Sequence, residues 1–163
     1  MMKVRKTSID DLACVMSIYE AARAFMVRTG NPDQWINGYP ANEDILRDID
    51  AGVHYVILNE TDDIVGAFMF KVGHDATYDI IERGSWLNED EYGVVHRLVS
   101  NGKYSGIADV CFDYCFSKIK NIRVDTHHEN KVMQQALMRY GFIYCGIIYC
   151  HNGTSRLAFQ MSI

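Results

Sequence analysis

This sequence is poor in several things, and each scarcity excludes something. Its two prolines, Pro32 and Pro40, both fall between Asn31 and Pro40, so the residue that breaks helices and central strands is confined to one loop. No uncharged apolar run approaches the ~18 residues a membrane span needs. The basic start, Met1 to Lys6, leads into Ser8-Ile9-Asp10-Asp11 rather than the apolar core of a signal peptide. The five cysteines (Cys14, Cys111, Cys115, Cys145, Cys150) are odd in number and form no Cys-x-x-Cys pair, which argues against an oxidised framework. A cytoplasmic protein with reduced thiols and no membrane partner is expected. Positive charge is also in deficit, 16 Lys and Arg against 21 Asp and Glu, for a net charge of −5 and a pI near 5.6. That balance disfavours nucleic acid as a partner. There is no repeat, low-complexity tract or linker, no P-loop and no Gly-x-Gly-x-x-Gly. His127 and His128 lack a zinc spacing such as His-x-x-x-His, so no metal is expected.

What is present is a globular composition, 48% hydrophobic and 23% charged over 163 residues, the size of one domain spanning 1–163. Periodicity divides it cleanly. A strand from Met2 to Thr7 meets a loose capping box at Ser8 and Asp11. Ile9, Leu12, Met16, Tyr19, Ala22 and Met26 then recur at helical spacing until Gly30. A second helix runs from about Asn42 to Ala51. Val53 to Asn59 and Ile64 to Val72 form a hairpin around Glu60-Thr61-Asp62-Asp63. Gly73 to Asp90 is irregular. A strand from Tyr92 to Val99, a helix from Gly106 to about Ile119, a strand from Asn121 to Asp125 and a helix from Asn130 to Tyr140 follow. Strands from Phe142 to Cys150 and Arg156 to Met161 end the chain. The order β-α-α-β-β-β-α-β-α-β-β is that of an α/β protein with helices crossing between strands.

The segment Lys103-Tyr104-Ser105-Gly106-Ile107-Ala108 lies between a strand and a helix. The first backbone N–H groups of that helix lack intrahelical partners, and its positive dipole end lies there. Gly106 permits close approach of a diphosphate and Lys103 adds charge. Such geometry suits an anion, or simply a strand-to-helix turn. The segment resembles the acyl-CoA pyrophosphate loop of the GNAT (Gcn5-related) N-acetyltransferases, Arg/Gln-x-x-Gly-x-Gly/Ala. Asn130-Lys131-Val132-Met133, followed by Gly141-Phe142, resembles that family's Asn-containing helix ending in Gly-Phe. Arg5-Lys6-Thr7 through Asp10-Asp11 is similar to its opening strand and helix, and the element order matches across nearly the whole chain.

The resemblance implies a mixed, mostly antiparallel sheet with a splayed central parallel strand pair and helices on both faces. It implies acetyl-CoA as cosubstrate, held by Leu98 and Val99 on the strand before the loop, by Lys103, Tyr104, Ser105, Gly106, Ile107 and Ala108 in the loop, and by Asn130 and Met133. It implies direct acetyl transfer to a primary amine of a small molecule or peptide. Two departures stand out: lysine opens the loop in place of arginine or glutamine, and Leu137 occupies the position where many members carry the tyrosine that protonates the thiolate. The second keeps an alternative in play, a noncatalytic acyl-CoA-binding sensor or interaction domain.

Freeing the lone pair of an amine of pKa near 10.4 at neutral pH costs about 4 kcal/mol, so a base is required. His96, Glu82 and Asp125 are the candidates. Tyr92, Val94, His96 and Leu98 share one face if their strand is regular, a register that a bulge would alter. Tyr140 and Tyr149 are candidate proton donors to the thiolate. Trp35, Tyr39, Tyr78 and Trp86 either wall the acceptor side or plug the core beneath loops. Arg156 either receives an acceptor carboxylate or pairs with a surface acid. A final strand at the sheet edge would give a second copy a place to pair, making a homodimer.

Overall fold

Seven strands form one sheet in the order β1-β2-β3-β4-β5-β7-β6. In the computed structural model, which describes all 163 residues, these are β1 Lys3–Lys6, β2 His54–Leu58, β3 Ile64–Val72, β4 Gly93–Ser100, β5 Asn121–Thr126, β6 Ile143–Tyr149 and β7 Ser155–Ser162. Neighbours run antiparallel except β4 and β5. The helices are α1 Leu12–Arg28, α2 Asn42–Asp50, α3 Ile107–Phe116 and α4 Lys131–Tyr140. The mixed sheet and the order of elements follow the sequence reading, with boundaries moved by one to three residues at most ends. β7 is not an edge: it lies between β5 and β6, and the edge strands are β1 and β6, the latter covered at Ile147 by a backbone bridge to Glu82. A final strand that has both its neighbours offers no pairing site to a second copy.

Alternation on the inner strands explains the layers. Tyr55, Ile57, Phe68, Val95, Ile122, Val124 and Phe159 face α3 and α4, where they pack with Phe112, Cys111, Cys115 and Leu137. Val56, Leu58, Ala67 and Val99 point the other way, onto Val15, Ile18 and Tyr19 of α1 and Ile45 of α2. Both faces of β2 are therefore buried, which suits its unbroken His-Tyr-Val-Ile-Leu run. Leu137 is wholly buried in the first of these layers, which accounts for an aliphatic side chain there. Cys111 and Cys115 lie in the same layer, and all five cysteines are free. No helix is long and apolar enough to cross a membrane.

Candidate active site

β4 carries one residue too many for a regular ladder. The two-residue step from Ala67 to Met69 on β3 faces the three-residue step from His96 to Val99 on β4. The extra residue is Arg97, whose φ of +53° lies in the left-handed region. A bulge of this kind bends its strand and ends regular pairing. β4 accordingly pairs with β5 only through Gly93, Val94 and Val95, and the two strands part beyond that point. The bulge also reverses side-chain direction: Val99, not Leu98, shares the face of His96, the altered register that a bulge in this strand was expected to produce.

A non-glycine residue at positive φ costs on the order of 1–3 kcal/mol unless its surroundings fix it. Here they do. Arg97 donates through Nε to Asp48 Oδ2 at 2.8 Å and through Nη1 to Tyr39 Oη at 2.7 Å, and Nη2 lies 2.6 Å from the same Asp48 oxygen. Its carbonyl accepts the Tyr19 hydroxyl at 2.7 Å. Behind Tyr19 a neutral chain closes: Thr7 donates to His54 Nδ1 at 2.7 Å, and His54 Nε2 donates to Tyr19 Oη at 3.1 Å. This is the tautomer that satisfies all three groups. Burial, reinforced by the Arg97 charge, lowers the pKa of His54 to about 4.

Where β4 and β5 separate, a cleft of about 1440 Å³ opens. His96 lines it. Its Nε2 is 2.8 Å from Asp75 Oδ2, and its Nδ1 is 3.7 Å from Asp125 Oδ1. Asp125 sits at the end of β5 and accepts the Tyr78 hydroxyl at 2.6 Å. Asp75 caps the short 3-10 turn Ala76–Tyr78 by accepting from the Thr77 N–H at 3.0 Å and the Thr77 hydroxyl at 2.6 Å. Burial pushes the Asp75 carboxyl up, but the bonds from His96 and Thr77 outweigh it and hold it well below the usual carboxylate range. An ionised Asp75 fixes the His96 proton on Nε2 and leaves Nδ1 as the basic nitrogen, with Asp125 beside it.

At the other end of the cleft, the Lys103–Ala108 loop begins α3. Gly106 caps the helix with φ +80°, and the backbone N–H groups of Tyr104, Ser105, Gly106, Ile107 and Ala108 have no acceptor in the chain. A Cβ added at Gly106 would meet nothing within 4 Å, so the space above the loop is open. Beneath it the packing is tight: a Cβ at Gly66 would lie 2.8 Å from Ile107 Cγ2 and 2.9 Å from the Val99 carbonyl, so only glycine lets the start of α3 rest on β3. Tyr104 turns away and accepts from Asn59 at 3.0 Å, pinning the loop to the β2–β3 turn. These open N–H groups, the glycine and the Lys103 charge fit a diphosphate. Leu98, Val99, Ile107, Ala108, Asn130 and Met133 line the cleft itself. Asn130 caps α4 by accepting the Met133 N–H at 3.0 Å and donates to Gln34 Oε1 at 3.0 Å.

The acceptor-side residues divide. Trp35, Tyr39 and Arg156 line the cleft. Tyr78 is 1% exposed and reaches it only through Asp125, while Trp86 lies between Tyr78, whose ring is tilted against it, and the Arg123 guanidinium, outside the lining. Glu82 and Tyr149 also lie outside it, hydrogen-bonded to each other at 2.9 Å on the exposed side of β6. Tyr140 donates to Asp113 at 2.6 Å on the α3–α4 surface, away from the cleft. Asp75 and Gln34 went unremarked in the sequence. An Asp two residues before a Thr is a turn-capping signal. Gln34 gave none: its Oε1 is a shared acceptor for nearby Asn31 and for Thr126, His127 and Asn130 of a segment remote in the chain.

Neither a family profile nor a curated protein matches the sequence. Solved structures do. GNAT-family acetyltransferases from Listeria monocytogenes and Bacillus cereus share the fold with TM-scores of 0.73 and 0.67, each at 20% identity, over 99% of this chain and 95% and 97% of theirs. A GNAT-family acetyltransferase from Streptococcus agalactiae superposes with a TM-score of 0.90 and 31% identity, over 99% of this chain and 95% of its own. With the bulged strand, the splayed parallel pair and the open glycine loop in their expected places, that likeness along the full length means that the chain belongs to the GNAT family of acetyltransferases.

Proposed function

We propose that the protein is an acetyl-CoA-dependent N-acetyltransferase acting by direct transfer on a primary amine of a small molecule or peptide, with His96 as general base. The observation that carries this reading is the arrangement of His96 in the cleft, Nε2 on Asp75 and Nδ1 facing Asp125, at the point where β4 and β5 part. Family membership supports acetyl transfer. The open N–H groups of the 103–108 loop and the β5-facing edge of β4 at Leu98 and Val99, unpaired once the two strands part, would hold the diphosphate and the pantetheine arm.

The geometry supports one division of labour. His96 Nδ1 takes the proton of the acceptor ammonium, directly or through one water, as the freed nitrogen forms its bond to the thioester carbonyl carbon. Asp125 and Asp75 stabilise the resulting imidazolium from both sides. The adduct nitrogen gives its second proton to water as the C–S bond breaks, and the sulfur leaves as a thiolate whose thiol has an ordinary pKa near 8.5, so water returns a proton to it without a dedicated acid. That fits a cleft whose only tyrosine, Tyr39, is engaged with Arg97.

The test is release of free CoA thiol from acetyl-CoA across a panel of amines. The wild type is expected to turn over at least one of them, and His96→Ala to lower kcat/KM by roughly 100-fold to 10,000-fold while acetyl-CoA still raises Tm. Equal turnover by His96→Ala removes His96 as the base. Acetyl-CoA binding with no amine accelerating thiol release removes the enzyme reading in favour of a binding domain.

A further inference from the structure

Three arginines are drawn into the interior on the cleft side of the sheet, and the protein treats them differently. Arg97 has a carboxylate, Asp48, and a phenol, Tyr39. Arg123 has no acid but lies between two aromatic rings, 4.2 Å from the centre of Trp86 and 4.1 Å from that of Tyr92, and donates to the Asn88 carbonyl at 2.7 Å. Arg156 has neither. It is 7% exposed, and no carboxylate oxygen lies within 4.0 Å of it; Asp125 and Glu129, the acids of the same wall, are both farther off. Its partners are neutral: Thr154 Oγ1 at 3.1 Å and the Ser155 carbonyl at 2.9 Å on Nη1, and the Gln34 carbonyl at 3.3 Å on Nη2. A guanidinium has five N–H donors. Three are used, so the Nε–H and one Nη2–H have no protein acceptor, at the wall of the cleft.

A buried guanidinium without a counter-ion is unfavourable, and natural interiors pair such charges. An anion from outside the chain would supply the partner that the protein does not. Its place relative to the chemistry follows from the sheet. Asp125 of β5 is registered with Ala158 of β7, so Arg156, two residues before Ala158, points to the same face and lies diagonally across from Asp125. Such diagonal neighbours are about 7–8 Å apart. Asp125 faces the basic nitrogen of His96. One small molecule can therefore offer its nitrogen to His96 and an anionic group to Arg156. A carboxylate matches the planar, two-donor edge that Arg156 leaves open.

We infer that Arg156 is the carboxylate receptor of the acceptor site, and that the acceptor is a small amine carrying its own carboxylate, an amino acid in the broad sense. This rests on the acetyltransferase reading and narrows it. The amino group enters beside His96 and Asp125, and the carboxylate is held between Arg156 and the Gln34 segment of the 31–40 loop.

The experiment compares matched sets: amino acids, their amides or methyl esters, and the corresponding decarboxylated amines. Wild-type kcat/KM is expected to favour the free acids by at least about 100-fold, the scale of a charge-assisted bidentate contact. In Arg156→Met that preference should collapse toward one, chiefly through KM, and Arg156→Lys should retain part of it. The Met variant conserves shape and removes an unpaired buried charge, so its unliganded Tm should equal or exceed that of the wild type. A lower Tm would mean that the guanidinium is a structural strut and would overturn the assignment. Equal use of free acids and esters by the wild type overturns the carboxylate site and leaves acetyl transfer standing. If no amine is acetylated, thermal shifts decide: stabilisation by the free acids alone, lost in Arg156→Met, upholds the receptor without the enzyme, and no stabilisation sinks both.

Discussion

The two walls of the cleft are built on opposite principles. The β5 wall is straight: six consecutive residues, Asn121 to Thr126, pair with β7 without a break. The β4 wall is bent by one surplus residue, and the bend is held by side chains rather than by ladder bonds. Arg97 is gripped by Asp48 and Tyr39 through its guanidinium and by Tyr19 through its carbonyl. Electrostatically the walls also differ, since the β4 wall neutralises its arginine internally and the β7 strand behind β5 leaves Arg156 without an acid. The bent wall spends its polar groups on shape. The straight wall, whose shape comes from the backbone, has polar groups free for recognition.

The most direct way to break this contrast is Asp48→Ala. It strands the Arg97 guanidinium, and removing one partner of a buried pair costs about 3–5 kcal/mol. For a domain of this size each kcal/mol shifts Tm by roughly 2–4 °C, so differential scanning calorimetry should record a fall of about 10 °C, with weaker acetyl-CoA binding as the bulge relaxes. A change under one degree would mean that β4 keeps its bend without the ion pair.

A second test uses pH, because the relay behind the bend works only while His54 is neutral. His54 titrates at about 4 when folded, below the ordinary 6.5. Between those values the unfolded chain binds the proton and the folded chain refuses it, so stability falls as pH drops through the window. With 1.36 kcal/mol per unit, the loss is about 3 kcal/mol. Asp75 acts in a separate range: its depressed pKa contributes stability above the ordinary carboxylate value that is lost only at lower pH. Urea midpoints at pH 7 and pH 4.5 should therefore differ more in the wild type than in His54→Gln, which has no titrating group there. Parallel losses in the two proteins would exclude His54 as the source.

The same contrast separates what the sequence made legible from what it hid. Hydrophobic periodicity located the straight elements: Ile64 to Val72 is the observed strand, and Asn121 to Thr126 extends the expected one by a single residue. The resemblance implied a bulged, splayed strand, but the residue that makes the bend was hidden, because Val94-Val95-His96-Arg97-Leu98-Val99 reads as an ordinary strand and nothing local in it distinguishes Arg97. Its cause lies in Tyr19, Tyr39 and Asp48, between 49 and 78 residues away in the chain. The position of β7 was hidden for a related reason, since the last strand in the chain need not be last in the sheet. In the site, the loop around Gly106 was legible because helix-start chemistry is local. The His96 environment was not, because Asp75 and Asp125 come to it from separate elements. Glu82 and Tyr149, plausible by residue type, find each other instead.

The finest test isolates one hydrogen bond within the bent wall. Tyr39→Phe keeps the ring that lines the cleft and deletes only the oxygen accepting from Arg97 Nη1 at 2.7 Å. A hydrogen bond to a charged group contributes about 1.5–3 kcal/mol. Because Arg97 keeps Asp48 and water can reach the cleft side of its guanidinium, the loss should sit at the lower end, about 1.5 kcal/mol, or roughly 3–6 °C in Tm. The ratio of this loss to that of Asp48→Ala divides the lock between hydrogen bonding and charge. If the two substitutions cost the same, the phenol and the carboxylate act as one unit, and the double variant should cost no more than either alone. If they add, the bend is held by two independent contacts, each contributing its own share.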